Sequence, residues 1–182
     1  MRVIAGIRKG LKLKSPDDES VRPTTDRVKE SVFNIIQRYL PSDRVLDLFA
    51  GSGALGIEAL SRRSKHCVFV DSGKKSLSLV RENVKLSGFS DCAELILSDS
   101  LSYLNGACKP FDIIFLDPPY NKGLLAPVLD KIYERNLLCD DGIILVETEK
   151  NGETAEHIGF YVLRKALYGK TVITVLKRGD NE

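Results

Sequence analysis

The chain has no tryptophan, one methionine and only two histidines, His66 and His157, among its 182 residues. Two separated imidazoles supply neither the ligand set of a zinc site nor the base of a Ser-His-Asp arrangement. The four cysteines, Cys67, Cys92, Cys108 and Cys139, form no C-x-x-C pair, so they predict no metal site and no disulfide framework and read as reduced intracellular thiols. Long hydrophobic runs are also missing. No stretch approaches the roughly 20 apolar residues of a membrane span, and the N-terminus carries no apolar signal segment. A cytoplasmic protein without a membrane partner is expected.

What is present suffices for a continuous core, since 43% of the residues are hydrophobic and the length fits one domain. We expect a single unit over 1–182, made of a basic hairpin and loop extension (1–22) and a helix with an α/β core (23–182). The net charge of +2 conceals an uneven distribution: residues 1–44 hold ten Lys/Arg against six Asp/Glu, and the remainder seventeen against nineteen. "MRVIAGIRKGLKLK" contains Arg2, Arg8, Lys9, Lys12 and Lys14 and no acid, a concentration of charge that suits a polyanion. A solvated basic face is the other reading of the same residues.

Gly6 and Gly10 offer bends for a short N-terminal β-hairpin over residues 2–14, followed by a polar loop. From Thr24 or Thr25, Val28, Val32, Ile35, Ile36 and Leu40 recur near helical spacing until Pro41, which predicts an amphipathic helix. Strand and helix signals then alternate: strand 44–50, helix 53–63, strand 66–71, helix 73–86 stopped by Gly88, strands 93–99 and 111–117, helix 123–136 and strand 142–147. Apolar strands separated by helix-length segments imply parallel βαβ units with both sheet faces covered. The last two strands, "FYVLRKALYG" and "KTVITVLKR", are too close for a helical crossover and are expected to pair antiparallel. The expected fold is therefore α/β, a doubly wound, mostly parallel seven-stranded Rossmann-like sheet with an antiparallel last strand.

"DLFAGSGALGIEAL" places Gly51, Gly53 and Gly56 in a G-x-G-x-x-G pattern, with Asp71 twenty residues after Gly51. Glycines allow a tight turn and close ligand approach, and an acid at the next strand's end accepts hydrogen bonds from ribose hydroxyls. A nicotinamide dinucleotide and S-adenosylmethionine both suit this geometry. Asp47 separates them, because a carboxylate ahead of the loop opposes a pyrophosphate and favours a cationic sulfonium ligand. Asp99, at the end of the third strand, is placed to accept an adenine amino group or to cap the following helix.

"FDIIFLDPPYNKG" ends a buried strand in a stiff, acceptor-rich exit, because proline lacks an N–H and drives the residue before it toward extended backbone. The Asp117 carboxylate and the Pro118 carbonyl would together accept both protons of one NH2 group. That favours a pyramidal, electron-rich nitrogen able to attack a methyl group in line, and stabilises the positive charge that develops on it. Tyr120 would stack on the base that carries the amine. No Pro-Cys dipeptide is present, so the cysteine nucleophile of carbon-5 pyrimidine methylation has no counterpart here.

These motifs carry a resemblance. "DLFAGSGALGIEAL" resembles the cofactor loop of class I S-adenosylmethionine-dependent methyltransferases, and "DPPY" resembles their amino-methylating motif. With "RVIAGIRKG" and "RPTTDRVKESVFNII", the match narrows to the RsmD family, bacterial enzymes that methylate guanine N2 in small-subunit (16S) ribosomal RNA. The resemblance spans nearly the whole chain. It implies S-adenosylmethionine held by Asp47, Phe49, Ala50, Gly51, Ser52 and Gly53, with Asp71 on the ribose and Asp99 and Ser100 flanking the adenine. It also implies guanine held by Asp117, Pro118, Pro119 and Tyr120. The RNA would meet Arg8, Lys9, Lys12, Arg22, Thr24 and Arg27, in a small subunit or an assembly intermediate and without a metal. Whether Asp117 only accepts a hydrogen bond or also takes the proton stays open. The other readings are an adenine amino-methyltransferase, a nicotinamide-dependent oxidoreductase and a non-catalytic RNA-binding assembly factor.

Overall fold

The computed structural model describes residues 1–16, 26–107, 109–119 and 122–179. The conformations expected for Thr24, Thr25 and the polar loop before them, and the state expected for Cys108, lie outside these residues. After the N-terminal segment come α1 (Asp26–Ile35), β1 (Arg44–Asp47), α2 (Ala54–Ser61), β2 (His66–Asp71), α3 (Lys74–Ser87) and β3 (Ala93–Leu97). The chain continues through α4 (Ser100–Gly106), β4 (Phe111–Leu116), α5 (Leu125–Glu134), β5 (Leu138–Glu149), β6 (Phe160–Tyr168) and β7 (Thr171–Arg178).

The seven strands form one sheet in the order β3-β2-β1-β4-β5-β7-β6. The first five run parallel, and β7 pairs antiparallel with both β5 and β6. Successive strand residues face opposite layers. Val45 and Ile113 join Val32, Phe33, Ile57 and Val80 from α1, α2 and α3, while Leu46 and Ile114 join Leu104, Val128 and Ile132 from α4 and α5. Burial on both faces explains why these strands are continuous apolar runs rather than alternating ones. Order reverses at β1, whose neighbours are β2 and β4, and such a switch point opens a crevice beyond the strands' carboxyl ends.

The N-terminal arms meet antiparallel at a single bridge, Arg2 with Lys12, closed by the Gly10 N–H donating to the Val3 carbonyl at 2.8 Å. Tertiary contacts hold this segment rather than a long ladder. Glu58 of α2, fully buried, accepts the Ile4 N–H at 2.7 Å and the Ala5 N–H at 3.0 Å. It also pairs with Arg62 at 2.9 Å and with buried Lys29 of α1 at 3.3 Å. Burial pushes the Lys29 ammonium below its usual value, against the pull of Glu58. Helix α3 ends at Gly88, which adopts the left-handed conformation expected of a helix stop. Several elements depart from expectation: the helix expected to reach Leu40 ends at Ile35 and is followed by a 3-10 turn over Gln37–Tyr39, the strand expected over 44–50 ends at Asp47, β5 spans twelve residues rather than six, and α4 is foreshadowed only by the capping reading of Asp99.

Candidate active site

Because β1, β2, β4 and β5 run parallel, their C-terminal residues collect along one edge. Asp47 ends β1, Asp71 ends β2, Asp117 follows the last residue of β4, and Glu147 lies near the end of β5. This edge bounds the crevice at the switch point.

The glycine loop connects β1 to α2. The Ala50 N–H donates to the Val70 carbonyl at 2.9 Å, and the Gly53 N–H closes the turn on the Ala50 carbonyl at 2.6 Å. Gly53 adopts φ 78° at the start of α2, a conformation that disfavours a side chain. Gly56 has a different task. It lies within α2, where an added Cβ would stand 2.6 Å from the Cys67 sulfur, so its role is close packing of helix on sheet.

Asp71 fixes the loop from the next strand. One carboxylate oxygen accepts the Gly51 N–H at 2.9 Å and the other the Gly73 N–H at 2.7 Å. Each oxygen keeps a further lone pair for a ligand hydroxyl. Asp47 sits beneath the loop, 2% exposed, and accepts the Gly56 N–H at 3.0 Å. Burial, with the charge of Asp71 adding to it, pushes the Asp47 carboxyl up to about 7. Phe49, Gly51 and Ser52 are half-buried, while Ala50 and Gly53 are buried. Asp99 caps α4, accepting the Ser102 N–H at 2.9 Å, and this bond holds its carboxyl below the usual range. Ser100, beside it, is buried.

At the exit of β4, Asp117 is half-buried, Pro118 buried and Pro119 exposed. Tyr120 lies outside the described residues. Burial raises the Asp117 carboxyl well above its usual value, and the negative charges of Glu147 and then Asp47 raise it further. The loop is anchored where α5 begins: Glu153 accepts the N–H groups of Gly123 and Leu125, both at 3.0 Å.

Among the expected RNA contacts, Arg22 and Thr24 lie outside the described residues. Lys9, Lys12 and Arg27 are exposed. Lys9 and Arg27 share with Arg2 a hollow of about 490 Å³ between the N-terminal segment and α1, where Asp26 and Glu30 offset part of the charge. Arg8 is also exposed but packs on the core, its guanidinium donating to the Ser87 carbonyl at 2.7 Å and lying 5.9 Å from the centre of the Phe89 ring.

Four polar residues escaped the sequence reading. Buried Asn83 of α3 donates to the Ser52 carbonyl at 2.9 Å and to the Lys14 carbonyl at 3.0 Å, joining the glycine loop to the N-terminal segment. Glu58, Glu147 and Glu153 are the others. An acid of unusual surroundings signals itself in a sequence only when its neighbours are known, and theirs come from distant elements.

The arrangement offers an acceptor for ribose hydroxyls at Asp71 and an acidic, half-buried exit at Asp117. Residues 1–177 match the model of the family described as Conserved hypothetical protein 95. The chain is 44% identical over 182 residues to YlbH of Bacillus subtilis, covering 98% of this chain and 99% of that protein. It is 40% identical over 154 residues to Ribosomal RNA small subunit methyltransferase D of Haemophilus influenzae, covering 83% of this chain and 80% of that one. The solved structure of yhhF from Escherichia coli superposes with a TM-score of 0.86 at 32% identity, covering 98% and 97% of the two chains.

Proposed function

The chain belongs to the Conserved hypothetical protein 95 family, the RsmD family, and on that premise we propose that it methylates the exocyclic N2 amine of a guanine in small-subunit ribosomal RNA. The observation that carries this reading is the pairing of two sites along one sheet edge. A glycine loop braced by Asp71 stands beside an Asp-Pro-Pro exit whose carboxylate is half-buried among other acids.

The residues fit S-adenosylmethionine. Asp71 faces the loop with lone pairs to spare, and an added Cβ on Gly51 would find only the Phe49 carbonyl, at 4.0 Å, so the space above the loop is open. Asp71 would hold the ribose and Asp99 with Ser100 the adenine side, while Phe49, Ala50, Gly51, Ser52 and Gly53 would cradle the ligand. Asp47, beneath the loop, would add negative charge below the sulfonium. The bound cofactor supplies a methyl group whose carbon is attacked by the amine lone pair as its bond to sulfur breaks, leaving that electron pair on sulfur.

The chain's own task is to present the amine. Asp117 and the Pro118 carbonyl would each accept one N–H, orienting the nitrogen and stabilising the positive charge it acquires. Pro119 keeps the exit stiff, and Tyr120 would stack on the base. Arg8, Lys9, Lys12, Arg22, Thr24 and Arg27 would engage RNA along the 1–22 extension and the start of α1, so that extension and core act as one unit. Transfer of a labelled methyl group from S-adenosylmethionine to undermethylated small subunits tests the proposal. We expect incorporation by the native protein and almost none by Asp117→Ala; a chain that binds NAD instead and transfers no label would overturn it.

A further inference from the structure

The β6–β7 hairpin has no part in the reading so far. Strands β5 and β6 both pair antiparallel with β7, so β6 runs in the direction of the parallel strands and the turn at Gly169 and Lys170 lies at the crevice edge of the sheet. Leu116, the residue before Asp117, is level with Val146, Thr174 and Lys165. Three strand spacings, roughly 14 Å, separate β4 from β6 in that row, and the turn projects beyond it. The Lys150 N–H donates to the Lys170 carbonyl at 2.9 Å, fastening the exit of β5 to the turn.

Residues 160–178 hold Arg164, Lys165, Lys170, Lys177 and Arg178 and no acid. Lys177 pairs with Asp141 at 3.2 Å and Arg178 donates to Asn136 at 2.6 Å, both at the end of the hairpin away from the crevice. Lys150, Arg164, Lys165 and Lys170 are exposed and form no ion pair among the described residues. Exposed Glu149 is the acid beside them.

Successive residues of β6 face opposite sides, and cross-strand partners share a side. Arg164 is opposite Val175, which shares a core layer with Val32 and Phe33 of α1, and Tyr168 packs against that layer. The N-terminal segment docks on the same side, through Val3 and Leu13. Lys165 is opposite Thr174, the partner of Val146 in the other layer. In the sheet order β4, with Asp117 at its exit, lies between β1 and β6.

We propose that Lys150, Arg164 and Lys170 form a second phosphate track, which grips the RNA strand on the side of the target base away from the N-terminal segment. A strand held on one side alone can pivot about its target base. Held on both, it presents the amine in one orientation. This role rests on the function proposed above. The acid-free hairpin selects a polyanion as occupant over a protein, although Val162 and Leu167 are exposed on the opposite side.

The test measures binding to protein-free small-subunit RNA over a range of salt concentrations. In Arg164→Ala with Lys170→Ala, affinity falls by on the order of tenfold near about 0.1 M salt, and the slope of log affinity against log salt flattens by about 0.7 for each lost contact. Melting temperature and S-adenosylmethionine affinity stay at native values. Lys165→Ala removes one charge from the opposite side and changes the slope by less than half as much per charge. Lys150→Ala with Lys170→Ala, both at the turn, decides the matter should the first variant not fold. Native affinity and slope in a folded double variant overturn the inference. So does an equal loss per charge in Lys165→Ala, which would mean attraction by net charge alone, and so does a loss seen with assembled subunits but not with protein-free RNA, which would mean a protein partner. RNA binding that depends on these residues in a protein that transfers no methyl group leaves the track standing and overturns the proposed function instead.

Discussion

Asp71 accepts the Gly51 N–H at 2.9 Å, so the acid at the end of β2 and the first glycine of the loop after β1 form one unit before any ligand arrives. Asp71→Ala then has two effects: a ribose acceptor is lost and the loop loses its brace. Affinity for S-adenosylmethionine should fall by roughly 1–3 kcal/mol, the worth of hydrogen bonds to a charged acceptor. Asp71→Asn, which retains one acceptor oxygen, should lose less. Calorimetry on both variants checks the order, and unchanged affinity in both would remove Asp71 from the cofactor site.

Asp47 gives a stability signature in pH. A carboxyl raised from 3.8 to about 7 contributes its stability below the lower value and loses it as pH rises through the upper one. Asp47→Asn has no such loss. The difference in melting temperature between the variant and the native protein should shift in the variant's favour between pH 5 and pH 8, pH values chosen to fall about two units below and about one unit above that carboxyl's midpoint. A difference that stays constant across the range would show that Asp47 ionises normally.

Glu58 fastens the N-terminal segment to the core. Glu58→Ala strands the fully buried Lys29 ammonium and frees the N–H groups of Ile4 and Ala5, so it should destabilise by roughly 3–5 kcal/mol, as expected when one member of a buried ion pair is removed. Denaturant unfolding measures the loss, and hydrogen exchange at residues 3–13 should rise. The double variant Glu58→Gln with Lys29→Met should recover much of it. No recovery would show that the backbone contacts, not the stranded charge, dominate.

Much of this was legible in the sequence. Continuous apolar runs such as "FDIIFLD" revealed the buried parallel strands, because strands covered on both faces have no polar side to display. Gly88 and the brief link between β6 and β7 were likewise legible, since local chemistry decides a helix stop and a short connection. Helix α4 was legible only through its cap: "SLSYLNG" is seven residues long and shows no helical period of its own, and the reading of Asp99 as a cap for a following helix, which the Ser102 N–H bears out, was its one signal. Glu147 and Glu58 were hidden for a different reason. Each reads as the polar face of its own element, and only the β4–β5 register or the docked N-terminal segment reveals what covers it. The site was thus readable where one loop supplies the chemistry and unreadable where two distant elements share it.

The basic N-terminal segment offers a graded test. Arg8 packs on Ser87 and Phe89, so neutralising it confounds RNA binding with folding; Lys9 and Lys12 are exposed and are the cleaner pair. Replacing both with alanine should leave cofactor binding intact and flatten the slope of log affinity against log salt by about 0.7 per lost contact with a single strand. An unaltered slope would make them a solvated face.

The central claim is that the Asp117 exit presents a guanine N2 amine, and the identity of the product tests it most directly. Undermethylated small subunits would be treated with S-adenosylmethionine labelled in its methyl group, and the RNA then digested to nucleosides and analysed by mass spectrometry. The account predicts label in N2-methylguanosine, lost by two to four powers of ten in rate with Asp117→Ala, the range expected when a transition-state acceptor or general base is removed. Label in N6-methyladenosine, or undiminished N2-methylguanosine from a folded Asp117→Ala protein, would contradict it.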